Sequence, residues 1–183
     1  MPWDTALPYG ARDTKITAYT SDAATTLAGS STDVPNARTI SFEEAEEFTE
    51  LRGDDKVVAI HGSGPSVNWE MEHGGINIPA YKLMAGGTTA TSGTTPAQVT
   101  TYTKKVTDTR PYFKAEGQAI SDLGGDFHVV LPRCKTNDTL SGELADGEFW
   151  LTGASGQALP SLVVAEVDVL YKFILNETAV AIT

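Results

Sequence analysis

The sequence predicts a mainly β protein: a mostly antiparallel sheet system with one short α-helix packed on it. Three observations carry this expectation. Apolar residues recur most often at a period of two, the strand period. Gly, Pro, Ser and Asn cluster between the periodic segments, where turns belong. Only one stretch combines helical spacing with start and stop signals. The 183 residues suit a single domain, 1–183, with a real hydrophobic core.

In chain order, residues 1–10 read as an extended, exposed N-terminal arm. Residues 23–36 are small and polar, with Gly29, Ser30, Ser31 and Pro35, and read as a flexible loop. An acid-rich stretch follows: Glu43, Glu44, Glu46, Glu47, Glu50, Asp54 and Asp55, opposed within the run by Arg52. Phe42 and Phe48 stand at even spacing, so the stretch fits a strand with its acids divided between two faces; an extended loop fits as well. Residues 56–60 (KVVAI) put apolar side chains on both faces, which predicts a strand covered on both sides. Gly62-Ser63-Gly64 reads as a hairpin turn. Val67, Trp69 and Met71 alternate with Asn68, Glu70 and Glu72, an amphipathic strand with Trp69 facing the core. His73, before Gly74-Gly75, reads as part of a turn.

The helix is predicted over 77–85 (NIPAYKLMA). Pro79 sits near its start, where a missing N–H does no harm, and Gly86-Gly87 suits a left-handed C-terminal cap. Ile78, Tyr81 and Met84 or Ala85 share one face at helical spacing. Residues 86–96 (GGTTATSGTTP) read as a flexible connection, and 94–106, rich in Thr and β-branched residues, as strand. Phe127, Val129 and Leu131 mark another strand. The last is a long one: Val163, Ala165, Val167, Val169, Tyr171 and Phe173 on one face, Glu166, Asp168 and Lys172 on the other.

The formal net charge is −11. Tight nucleic-acid binding draws most of its affinity from basic groups that neutralise phosphates, so this composition argues against it. The single cysteine, Cys134, rules out an intrachain disulfide and reads as a buried small apolar residue. The first residues lack a basic region followed by an apolar one, so no signal peptide is expected. The most apolar run, 162–175, is interrupted by Glu166, Asp168 and Lys172 and is not a bilayer span.

Catalytic signatures are missing. His61, His73 and His128 have no metal-ligand spacing and read as strand-end, turn or surface residues. No GxSxG elbow occurs, and Gly62-Ser63-Gly64 lacks the lysine and following helix of a phosphate loop. A dense acidic run does not place two carboxylates in unlike environments, as acid–base catalysis requires. Arg52-Gly53-Asp54 reads as a turn between strands. The expectation is therefore not an enzyme, with no cofactor and no metal site.

The block 38–87, RTISFEEAEEFTELRGDDKVVAIHGSGPSVNWEMEHGGINIPAYKLMAGG, resembles the major tail tube proteins of siphoviruses (long-tailed bacteriophages), actinobacteriophage members in particular. An acid-rich segment, ELRGDDKVVA, a WEMEHGG strand and a short helix ending in Gly-Gly carry the likeness, over about a quarter of the chain. The resemblance implies an antiparallel β-sandwich or half-barrel with one short flanking α-helix, a fold shared with the tubes of contractile tails and of type VI secretion. It implies hexameric rings whose sheets join around a lumen and which stack into a helical tube. A loop between early strands that reaches the next ring maps to 43–56. Glu43, Glu44, Glu46, Glu47, Glu50, Arg52, Asp54 and Asp55 are then candidates for lining the lumen or the ring-stacking surface. Implied partners are further copies of the chain, a tape-measure protein, a tail terminator and tail-tip proteins, with DNA passing through unbound and no membrane. The implied location is the virion tail, after assembly in the host cytoplasm. Other readings are a capsid decoration or tail terminator protein, and a β-sandwich binding module. The last would want clustered exposed aromatics, whereas Trp3, Trp69 and Trp150 are far apart in sequence.

Overall fold

Among the described residues, 4–182 of the computed structural model, the chain forms eleven strands and one α-helix. The strands are β1 (Pro8–Ala18), β2 (Thr32–Asp33), β3 (Ala37–Gly53), β4 (Lys56–Gly74), β5 (Thr88–Ser92), β6 (Val99–Thr103), β7 (Tyr112–Ser121), β8 (Asp126–Lys135), β9 (Leu140–Gly142), β10 (Leu151–Ala158) and β11 (Lys172–Asn176). Helix α1 (Ile78–Ala85) lies between β4 and β5. The fold is mainly β and antiparallel with one short helix, as the periodicity predicts, and the main sheet is open.

Its order is β2-β1-β7-β8-β10-β4-β3, with β9 on β10 and β11 on β8. Strand β8 is where the sheet divides. One edge of β8 pairs with β7. The other pairs with β11 through Asp126 to Val130, and with β10 only at Cys134 and Lys135. One wing is thus β2-β1-β7-β8-β11 and the other β10-β4-β3. The wings fold onto each other like the layers of a sandwich.

The inward faces supply the core. Trp69 of β4 meets Phe113 of β7 edge to face, ring centroids 5.6 Å apart. Val67, Met71, Ala154 and Ala158 pack beside them from one wing, and Ile16, Ala115, Leu131 and Cys134 from the other. Cys134 is buried, as expected, and burial pushes its thiol pKa up. A second cluster closes one end: Phe42 lies 5.0 Å from Tyr171 and 5.6 Å from Phe173, which in turn contacts Phe127.

The helix forms where the sequence places it. The Asn77 side chain caps it by accepting the Ala80 N–H at 3.0 Å, and Pro79 stands in the first turn. The buried residues are Ala80, Met84 and Ala85; Ile78 and Tyr81 are only half-buried, so the inward stripe is rotated from the predicted one. Gly86 ends the helix at φ 76°, ψ −164°, outside the left-handed helical region expected of its cap. A Cβ there would overlap the Thr109 carbonyl oxygen, so glycine is required by close approach as well as by φ.

Several expectations fail. The long C-terminal strand does not form: Val164–Glu166 is a 3-10 turn and pairing begins only at Lys172. Alternation over 163–171 is the signal for it, but this segment bonds to itself instead: the Ser161 N–H donates to the Val169 carbonyl and the Asp168 N–H to the Ser161 carbonyl, while β10 takes the edge of β8 from Cys134 onward. Gly62-Ser63-Gly64 is not a turn but lies inside the 19-residue strand β4. The turn is Asp54-Asp55, at φ 50° and 63°, the left-handed pair of a two-residue hairpin loop. The predicted strand over 94–106 is only Val99–Thr103, and its partner Thr88–Ser92 lies within the segment read as flexible, 86–96. In the 23–36 loop, Thr32–Asp33 pairs with β1 and Val34 is buried. Of the N-terminal arm read over 1–10, residues 1–3 lie outside the described part. Pro8 and Tyr9 pair with Ser121 and Ile120 of β7.

Phe113→Ala, by removing the ring that Trp69 packs against, is expected to cost about 3–5 kcal/mol of stability, read from the denaturant midpoint.

Candidate assembly surface and a buried ionic cluster

Strands β3 and β4 make one long hairpin with two unlike halves. The base, 37–45 with 66–74, packs on the body through Ile40, Phe42, Val67, Trp69 and Met71. The outer half, 46–53 with 56–65, is exposed along both strands apart from Gly62, which the Glu46 side chain shields. It projects as an arm.

All eight sequence-predicted residues lie on this hairpin and all are exposed. Glu43 borders a polar cleft of about 670 Å³ on the outward face of β3, β4 and β10, with Asn68, Glu70, Asp138 and Gln157. Glu44 accepts the Tyr171 hydroxyl at 2.6 Å, which ties the top of the base to the body. Glu46 and Glu47 sit where the register shifts. Glu50 accepts two hydrogen bonds from Arg52, at 2.9 and 2.7 Å. Asp54 and Asp55 form the tip. The structure therefore places Glu43 and Glu44 on the base of the hairpin and the other six on its arm; it does not bring them together as a site. Of the two forms open to residues 41–56, it takes the strand.

The arm's other feature is apolar. Phe48, Leu51, Val58 and Ile60 are each more than 60% exposed, and Val57 is 46% exposed. Strand alternation puts Val58 and Ile60 on one face and Val57 and Ala59 on the other. The expectation that 56–60 is covered on both sides is therefore not met within one chain: both faces are bare. An isolated two-stranded hairpin is marginal in water. Burying side chains of this size is worth about 1.5–3 kcal/mol each. Among the described residues nothing pairs with the outer edge of the 17-residue strand β3, which ends the sheet. Its five glutamates, Glu43, Glu44, Glu46, Glu47 and Glu50, oppose indiscriminate edge pairing.

A group that the sequence reading missed lies on the far side of the molecule. His128, read as a surface or strand-end residue, is buried. Its Nδ1 is 3.0 Å from Glu116 Oε1 and its Nε2 3.0 Å from Asp126 Oδ2. Lys114 Nζ pairs with Glu116 at 2.6 Å. Asp126 is fully buried and also accepts from Gln118, from Asn176 Nδ2 at 2.8 Å and from the Val180 N–H at 2.8 Å. Burial by itself raises the pKa of Asp126, but these hydrogen bonds outweigh it and hold the carboxyl at about 2. Burial likewise disfavours charge on His128, and the two carboxylates more than reverse this, so its pKa is raised. Glu116 is lowered, its own burial outweighed by Lys114 and His128. The signal in sequence was faint: Glu116 and Gln118, and Asp126 and His128, are each two apart and so share a strand face. A polar face reads as solvent-facing until something covers it.

His73, read as a turn residue, is instead buried in β4 opposite Thr152, and burial lowers its pKa. Among the described residues no cluster is arranged to hold a metal ion, and no helix is long and apolar enough to cross a membrane. No family model matches the sequence and no curated protein matches it significantly.

Replacing Asp54-Asp55 by Asn-Gly, the pair preferred for this loop, is expected to slow amide exchange along the outer arm severalfold by favouring the turn.

Proposed function

We propose that this chain is a structural subunit that polymerises into stacked rings, forming a tail tube of the long-tailed bacteriophage kind. The observation that carries this reading is the arm: a projecting hairpin, apolar on both faces and uncovered within its own chain. Such a surface asks for a second protein layer on each side. A further copy of the chain is the occupant that polymerisation supplies. An arm that contacts a different patch on its neighbour makes a heterologous interface, which generates rings or open helical stacks. The unpaired edge of β3 offers the same neighbour a strand to pair with.

The acidic character fits a conduit. DNA carries one charge per about 1.7 Å of duplex. A basic wall would hold it by counterion release, whereas an acidic wall leaves it mobile. The outward cleft with Glu43, Glu70 and Asp138 is the acidic concave surface that suits such a wall. A tape-measure protein, a terminator and tail-tip proteins are the partners this reading calls for.

The test is electron microscopy of the purified chain at rising concentration, with sedimentation beside it. The expected result is hollow tubes or stacked rings of uniform diameter. The double variant Phe48→Ser, Ile60→Ser is expected to keep monomer stability within about 0.5–1 kcal/mol, because both sites are exposed, and to lose assembly. Glu→Lys changes at Glu46, Glu47 and Glu50 are expected to spare folding and impair the tube. A wild-type chain that stays monomeric at all concentrations, even with preformed tails as seeds, would sink the reading.

A further inference from the structure

Residues 177–182, which follow β11, do not hang free. They run across the outer face of the β1-β7-β8-β11 wing, which register gives a charged stripe. Lys15 lies opposite Glu116, Gln118 opposite His128, and Asn176 opposite Asp126. Four attachments hold the segment there. Asp126 accepts the Val180 N–H, and Gln118 Nε2 donates to the Val180 carbonyl at 2.9 Å. Lys15 Nζ donates to the Ile182 carbonyl at 2.6 Å, and the Ile182 side chain is buried. Gly125, at φ 67°, leaves space that the carbonyl oxygens of Asn176 and Glu177 fill; a Cβ there would overlap the first of them.

One imidazole, that of His128, lies at the centre of this arrangement. The charged groups facing His128 are Glu116 and Lys114 on β7 and Asp126 on β8. Asp13 and Lys15 on β1 lie further along the stripe, as does Lys172 on β11, itself paired with Glu166. Protonated, His128 donates to both carboxylates and balances the second of them, Lys114 serving the first. Neutral, it has one N–H for two carboxylates, so a lone pair faces a buried anion. Glu116 keeps Lys114 in either state, so the charge that deprotonation leaves uncompensated is that of Asp126, the carboxylate that holds Val180.

We propose that residues 177–182 form a releasable strap, latched by His128 as an imidazolium between Glu116 and Asp126, and that loss of this proton frees the strap and bares the charged stripe. This inference does not rest on the tube reading and stands for the isolated subunit. Its direction with pH follows from the two kinds of group. His128 has a raised folded pKa, so its contribution is complete below its ordinary value of about 6.5 and is lost as pH rises through the raised one. Glu116 and Asp126 are lowered, so theirs is present above the ordinary carboxylate range and lost as pH falls toward about 2 for Asp126. The strap is closed from mildly acidic to neutral pH and opens on the alkaline side.

The experiment is amide exchange of Val180 by NMR on the full chain, from about pH 6 to about pH 9.5 and corrected for the intrinsic rate, with Met71 in β4 as the internal standard. Protection of Val180 is expected to fall about tenfold or more over that range while Met71 changes less than about twofold. In His128→Gln, which is neutral at every pH, Val180 is expected to be poorly protected throughout. Gly125→Val, whose side chain would overlap the Asn176 carbonyl oxygen at the point where the strap leaves β11, is expected to do the same. If His128→Gln does not fold, the wild-type series decides alone. Val180 protection that is constant with pH in the wild type, or wild-type protection in folded His128→Gln, would falsify the latch.

Discussion

The contact between Trp69 and Phe113 joins the two wings, and the rest of the molecule takes its position from it. Trp69 belongs to β4 and Phe113 to β7, strands separated in the sheet by β8 and β10. For the rings to meet, the sheet has to fold at β8. That fold brings Ile40 against Gly117 and Phe42 against the aromatic residues at the start of β11. It also decides which part of the β3-β4 hairpin is covered. Residues 66–74 of β4 lie over the opposite wing, and residues 56–65 run past its end.

A single continuous strand thus serves two purposes. Its inner half is amphipathic in the ordinary way, with Val67, Trp69, Met71 and His73 inward and Asn68, Glu70 and Glu72 outward. Its outer half carries apolar residues on both faces and has a layer on neither. Within one chain this is a conflict between pattern and environment, and such conflicts gather at functional surfaces. The proposed assembly resolves it by giving the arm a neighbour. The five glutamates on β3 oppose pairing of the bare edge with like-charged strands.

The far face shows the reverse case. There a polar pattern that normally faces water is covered, and the cover is the chain's own C-terminus. Glu116, Asp126 and His128 tolerate burial because each carboxylate has cationic or N–H partners within hydrogen-bond distance. The cluster exposes little to solvent and holds a short segment that has few apolar contacts of its own, with Ile182 the exception. Proton binding and strap position are coupled for that reason.

Much was legible from the sequence alone. Period-two alternation in 67–72 and 127–131, the Pro79 and Gly86-Gly87 signals around the helix and the burial of Cys134 follow from local geometry and side-chain transfer. The two-faced apolar character of 56–60 was visible too, as was the acidic run beside it. Other features depended on the tertiary structure. Whether 56–60 is covered, whether Gly62-Ser63-Gly64 turns or runs straight, and where β11 begins all depend on which strand edges are already occupied. His128 was read as exposed because the partners that bury it lie on β7 and on the last residues of the chain, up to 54 positions from Asp126. Periodicity reports which residues share a face; only the assembled sheet decides what, if anything, lies over that face.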